Sequence, residues 1–212
     1  YDWQILENLK IAGGLRLSSA VVPEKVYALP EPRFSAVYTL DDKNSFKAGY
    51  AVMRQYLHLV SSSTVALPTD LWYPVTDEVK PQTSHQIAAS YTHHFEKINS
   101  LLTLESYYKW MYNLTEYQEG ANLILNNNFE NELIQGDGRA YGFELLLKRD
   151  EGRINGWIGY TLAFSQRFFE ELNEGKPCWA KYDRRHDLSV VTIWKATDRV
   201  SISTVYAFLS VA

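Results

Sequence analysis

Ala140-Tyr-Gly-Phe-Glu-Leu-Leu-Leu-Lys-Arg-Asp-Glu-Gly-Arg-Ile-Asn-Gly-Trp-Ile-Gly-Tyr-Thr-Leu-Ala-Phe164 carries the decisive pattern. Tyr141, Phe143, Leu145 and Leu147 alternate with Gly142, Glu144 and Lys148, and after the polar turn Asp150–Arg153 the alternation resumes through Ile158, Tyr160, Leu162 and Phe164. Successive side chains of a strand point to opposite faces, so each half is a strand with one apolar face, and the four-residue turn makes them an antiparallel hairpin.

The same period runs along the chain. Nine strands are expected, at Asn8–Ser18, Arg33–Leu40, Ser45–Met53, Gln86–Phe95, Leu101–Tyr112, Ala140–Lys148, Asn155–Phe164, Asp187–Lys195 and Val200–Phe208. No stretch shows a helical stripe over three turns, and Glu170–Glu174 has room for a short helix at most before Gly175 and Pro177. Tight connections at Asp41–Asn44, Glu96–Asn99, Asp150–Arg153 and Ala196–Arg199 alternate with long ones at Ser19–Pro32, Gln55–His85, Asn113–Arg139 and Ser165–His186. In an up-and-down meander every tight turn then falls on one side and every long loop on the other, which is the layout of a transmembrane barrel. Greek-key sandwiches have no reason to sort their loops in this way.

The expected faces differ sharply. One carries Leu9, Ile11, Phe34, Tyr38, Phe46, Tyr91, Leu104, Tyr108, Trp110, Tyr141, Phe164, Trp194, Phe208 and their neighbours in phase, with no Asp, Glu, Lys or Arg. The other carries Lys10, Arg16, Arg33, Lys47, Glu105, Lys109, Glu144, Lys148, Asp187 and Lys195 among small polar residues. A cation at the bilayer midplane of a barrel exterior costs about 2–4 kcal/mol, so lipid demands such a clean face. Phe34, Tyr108, Trp110, Tyr141, Phe164 and Phe208 fall toward the long-loop end, and Tyr38, Phe46, Tyr91 and Trp194 toward the other, as two aromatic girdles would.

Composition narrows the function. Of 212 residues, 15 are Tyr, 9 Phe and 6 Trp, and the formal net charge of −4 gives no basic excess for nucleic acid. The single cysteine, Cys178, leaves no internal disulfide. No apolar run approaches the 18 or so residues of a membrane helix, which places no limit on barrel strands.

The residues also resemble a family. Pro30–Tyr38, Ser45–His58, Leu67–Trp72, Val79–Gln82, Tyr107-Tyr-Lys109, Gly136-x-Gly-x-x-Tyr-Gly-x-Glu144, Gly156–Thr161 and Tyr182-Asp-Arg-Arg-His-Asp187 are similar, in order and spacing, to the barrel of TonB-dependent outer-membrane receptors. The resemblance implies a plugged barrel of the bacterial outer membrane that takes up a scarce nutrient (iron chelate, cobalamin, glycan or peptide), driven through TonB. No plug domain, TonB box or C-terminal aromatic signature is recognised, so the chain reads as a partial barrel over 1–212, an internal segment of a longer receptor. Its implied partners are the lipid bilayer, its own plug domain and through it TonB, a small nutrient ligand and, in some branches, a surface lipoprotein. A soluble carbohydrate-binding β-sandwich and a small porin-like barrel are the alternatives.

Candidate sites follow. Tyr56, His58, Trp72 and Tyr73 lie in the longest loop, where aromatics serve either as ligand anchors or as loop packing. Asp183, Arg184, Arg185, His186 and Asp187 form a charge cluster expected to pair internally where a strand begins. Lys10, Arg16, Arg33 and Lys47 are expected to solvate the lumen or meet a plug. His93 and His94 point to opposite faces and do not share an ion. Gly136-Asp-Gly138 precedes a strand rather than opening a helix, so it reads as a turn and not as a phosphate loop. No catalytic group, metal or cofactor is expected.

Overall fold

The computed structural model describes residues 1–60, 71–119, 121, 129–181 and 183–210; Tyr182 and residues 67–70 of the motifs quoted above lie outside them. The strands are β1 Asp2–Leu6, β2 Leu9–Val21, β3 Val26–Thr39, β4 Asn44–Gln55, β5 Leu57–Val60, β6 Leu71–Pro74, β7 Gln82–Phe95, β8 Ser100–Tyr117, β9 Leu133–Arg149, β10 Ile154–Phe168, β11 Cys178–Trp179, β12 His186–Thr197 and β13 Val200–Leu209. One antiparallel sheet runs β1-β2-β3-β4-β7-β8-β9-β10-β12-β13, with β11 on β10 and a separate β5–β6 hairpin. Each of the nine expected strands is there, in the expected order, as an up-and-down meander. Among the described residues the helices are short 3-10 turns, one at Asn173–Gly175 where a short helix had room.

The register shows tilt. Phe46, Tyr91, Leu104, Leu145, Tyr160, Leu188 and Phe208 lie on one line of paired residues. That line starts near the tight-turn end of β4 and finishes at the long-loop end of β13, which is the stagger of strands inclined in a barrel wall. The outer face is exposed and apolar, with Leu15, Phe34, Phe46, Ile87, Ile158, Ile202 and Tyr206 among its open side chains. The few buried apolar residues, Tyr27, Val60, Val75, Val79 and Ile134 among them, gather at the long-loop end. Burial is therefore inverted relative to a two-layer soluble fold, as expected of a wall whose outer solvent is lipid.

Four expectations are corrected. β1 is an additional sheet strand, its Trp3 paired with Ile11 and its Leu6 with Leu9 of β2, across a register shift at Ile5. The long connection Ser19–Pro32 is mostly ladder, because β2 and β3 continue to a tight turn closed by Val22 N–H donating to the Lys25 carbonyl at 2.9 Å. β8 likewise extends past its expected end, with a register shift between Met111 and Leu114 and a left-handed Asn113 at φ 56°. Gly136-Asp-Gly138 is neither turn nor phosphate loop but strand, within β9. A Cβ at Gly136 would stand 2.2 Å from the Phe168 carbonyl oxygen, and one at Gly138 would stand 2.6 Å from Leu114 Cδ1. These glycines are there for close approach of neighbouring strands, not for chain reversal.

Candidate functional site

The connection between β4 and β7 is the longest between neighbouring strands of the sheet at the long-loop end. It leaves β4 at Gln55, forms the β5–β6 hairpin and returns to the sheet at Gln82. Hydrogen bonds fasten it on two sides. Toward β2 and β3, the Tyr27 hydroxyl donates to the Thr76 carbonyl at 2.9 Å, and the Tyr56 hydroxyl lies 2.8 Å from Ser18 Oγ. Toward β8 and β9, Lys80 and Gln135 exchange two bonds, of 3.1 and 2.9 Å, and Asn113 Nδ2 donates to the Pro81 carbonyl at 3.1 Å.

The four loop candidates thus separate. Tyr56 is bound to Ser18. His58 is fully buried, its Nδ1 3.4 Å from Thr115 Oγ1, while Nε2 has no partner among the described residues. Burial holds its imidazole below the ordinary pKa, so it docks neutral. Tyr73 pairs with His58 across the hairpin, and burial, with Glu130 and Glu78 nearby, pushes its phenol up. Trp72 is 59% exposed and is the candidate the hairpin offers to solvent.

Under this loop the inner wall is polar. Glu31 of β3 is 1% exposed, accepts from Ser18 Oγ at 2.5 Å and stands 3.9 Å from both Arg16 and Arg33. Ser18 thereby joins Glu31 to Tyr56 and the wall to the loop. This junction draws on three separated segments, and no local pattern announces it. Beside it, Met53, Gln55, Gln82, Ser84, Lys109 and Met111 line a hollow of about 260 Å³. Lower down, register places Lys10, Val37, Lys47, Ser90, Glu105, Glu144, Thr161 and Asp187 on one inner row. Its cations stand at one end and its anions at the other. Glu105 and Glu144 are direct cross-strand neighbours, a repulsive arrangement, and neither makes an ion pair among the described residues.

The charge cluster is dispersed by its local geometry. Asp183 is buried, accepts the Ser165 N–H at 2.9 Å and meets Arg185 Nη2 at 3.5 Å. Arg184 is exposed, His186 Nδ1 lies 2.8 Å from the Tyr160 hydroxyl, and Asp187 accepts from Ser189. Across the bare glycines of β9, Arg167 of β10 reaches Glu116 of β8 at 2.7 Å. His93 and His94 bond separately to Asn44 and Asn99 at the tight-turn end. No cluster of metal-ligating side chains occurs among the described residues.

Comparison places this arrangement. The family model for the TonB-dependent receptor-like β-barrel matches residues 1–202. No curated protein sequence is significantly similar. Among solved structures, the ferric-catecholate import receptor Fiu of E. coli K12 is 17% identical, with TM-score 0.68 over 98% of this chain and 33% of that one. The ferripyoverdine receptor of Pseudomonas aeruginosa is 14% identical, TM-score 0.67, over 98% of this chain and 29% of that one. The FrpB iron transporter of Neisseria meningitidis is 10% identical, TM-score 0.66, over 93% and 30%. The chain thus spans about a third of the length of the receptors it superposes on. The family match sets aside the soluble sandwich, and the outward apolar face with its inner polar wall has its explanation: the chain belongs to the TonB-dependent receptor β-barrel family, whose barrels stand in the bacterial outer membrane.

Proposed function

We propose that these strands form a sector of wall and mouth in a receptor that imports a scarce nutrient, an iron chelate first, with cobalamin, glycan and peptide as the other classes of cargo. The observation that carries this reading is the loop between β4 and β7, folded over a polar, partly cationic wall while it leaves Trp72 open. Iron chelates are commonly anionic and built from flat donor groups. Trp72 supplies stacking surface, and Arg16, Arg33 and Lys109 supply positive potential at the same end. The neighbours named for iron import favour this class of cargo.

The full barrel needs more than this sector. Sheet edges in hydrocarbon leave backbone groups unpaired at several kcal/mol each, so β1 and β13 pair with further strands of the receptor. Glu105 and Glu144, facing the lumen without a cation among the described residues, suit a basic surface of the receptor's own plug domain, and TonB acts through that plug. A surface lipoprotein belongs with glycan or peptide cargo and has no role in the iron reading. The protein is a transporter rather than an enzyme.

The test uses the full-length receptor in cells lacking other iron receptors, with uptake of a radioactive iron–catecholate chelate under iron limitation. Trp72→Ala is expected to raise the half-saturating chelate concentration about tenfold, from about 1.4 kcal/mol of lost stacking. Wild-type cells that take up cobalamin but no iron chelate would overturn the iron assignment. Unchanged uptake in this variant would remove the loop from the binding site.

A further inference from the structure

From Asp137 on, the outward phase of β9 reads Asp137, Arg139, Tyr141, Phe143, Leu145, Leu147, Arg149: one cation at each end of an aromatic and aliphatic run, with Asp137 next above Arg139. The ten-residue separation, at about 3.3 Å per residue and a tilt of about 40°, spans about 25 Å along the barrel axis, the height of a lipid-facing band. Arg149 ends the band at the tight-turn side, its Nε donating to the Glu151 carbonyl at 3.0 Å. Arg139 stands at the other side, level with the headgroups of the outer leaflet.

Its surroundings form a built surface. Trp110, Arg139, Gln166 and Trp179 share one outward row, directly above the row Tyr108, Tyr141, Phe164. The lower rings are stacked, Tyr108 on Tyr141 at 5.7 Å and Tyr141 on Phe164 at 5.1 Å. Arg139 Nε donates to Gln166 Oε1 at 2.7 Å, and its guanidinium lies 5.3 Å from the Phe168 ring. A second guanidinium closes the far end: Arg185 lies 4.5 Å from the Trp179 ring and 4.9 Å from Phe164. Asp183 offsets part of the charge of Arg185, whose side chain is only partly exposed, while Arg139 meets no carboxylate among the described residues. Aromatic rings and an amide thus hold two forks, the geometry that suits planar recognition of phosphate.

We propose that Arg139 and Arg185 bind the phosphorylated headgroup of an outer-leaflet lipid on the outside of the barrel, with its chains along Tyr141, Phe143 and Phe164. Continuity with the lipid-facing band and complementarity of charge select this occupant over a soluble one. The site is separate from the mouth and needs no particular cargo.

The test is native mass spectrometry of the full-length receptor in non-ionic detergent, titrated with bisphosphorylated lipid A, with the same glycolipid stripped of phosphate, and with inorganic phosphate. Wild type is expected to retain the bisphosphorylated form and release the stripped form. Arg139→Gln and Arg185→Gln should each weaken retention about fivefold, Arg139→Lys less, and Arg149→Gln, at the opposite leaflet, not at all. Heat-modifiable gel mobility reports folding, and if the double variant does not fold, the single ones carry the measurement. Equal retention of the stripped glycolipid, undiminished retention in the folded glutamine variants, or inorganic phosphate binding as tightly as the lipid would each overturn the proposal.

Discussion

Ala89 and Ser90 are adjacent on β7, similar in size, and assigned to opposite media. Ala89 lies between Ala48 and Ser106 on the outer face, and Ser90 between Lys47 and Glu105 on the inner row. From Phe95 at the lower end of β7, the rise to Ala89 is about 15 Å at 3.3 Å per residue and a 40° tilt, near the middle of a 25 Å band. Ala89→Arg therefore places a cation near the midplane and is expected to cost about 2–4 kcal/mol, roughly 30- to 1,000-fold in the folded fraction. Ser90→Arg places the same group in the lumen, between one cation and one carboxylate whose effects nearly cancel, and is expected to stay within about 1 kcal/mol. Denaturant titration of the full-length receptor folded into phospholipid vesicles, read by heat-modifiable mobility, measures both. The two backbone sites are one residue apart, so strand propensity and chain length are controlled. A larger loss from Ser90→Arg than from Ala89→Arg would mean that the faces are exchanged, and the placement of Arg139 at the headgroups would fall with it.

Two further outcomes follow from geometry already described. Gly138→Val drives a side chain into Leu114 Cδ1 at 2.6 Å and the Gln166 carbonyl at 2.9 Å, and should cost about 1–3 kcal/mol in the same titration; a neutral result would mean that β8 and β10 can part at no cost. His58 has a folded pKa below its unfolded one, so the unfolded loop binds more protons, and docking that is complete above about pH 6.5 weakens as the pH falls below it. Hydrogen exchange in β5 and β6 should quicken between pH 7.5 and 5 after correction for intrinsic rates, and His58→Leu should abolish that change; an unaltered pH response in the variant would place the sensitivity elsewhere.

The membrane-embedded strands were legible because lipid on one side and water on the other enforce strict alternation, as in Tyr141 to Leu147. Above the headgroups that constraint ends. β2 and β3 run on through Ser19–Val21 and Val26–Pro30 with lipid on neither face and the β4–β7 loop against Tyr27, so the ladder continues without the pattern that would announce it. At Asn113 the left-handed residue and shifted register break the period itself, which hides the last turns of β8. Arg139 falls at the end of an expected loop, and its outward position follows only because β9 begins upstream of it, at Leu133. Of the mouth, the loop candidates Tyr56, His58, Trp72 and Tyr73 are expected as one set, and only Trp72 stands open to solvent. The joining of Glu31, Ser18 and Tyr56 depends on how three distant segments meet, which no periodicity encodes.

The inner side of β9 has one further consequence, for stiffness. Gly136, Gly138, Ala140 and Gly142 offer almost no side chain there, and their neighbours fill the strip: Phe169 over Gly136, Leu114 over Gly138 and Tyr107 over Gly142. The Arg167–Glu116 bridge crosses the same strip. Three strands are thereby laminated by groups that overlap the middle one, and bending this plate requires several contacts to slide at once. Ser35, Gly49 and Ala88, on the inner side of β3, β4 and β7, have no such overlap, and a Cβ at Gly49 would find nothing nearer than 3.5 Å. Flexure of the wall is expected to concentrate in that thinner panel, with β8, β9 and β10 as the stiffer stave beside it.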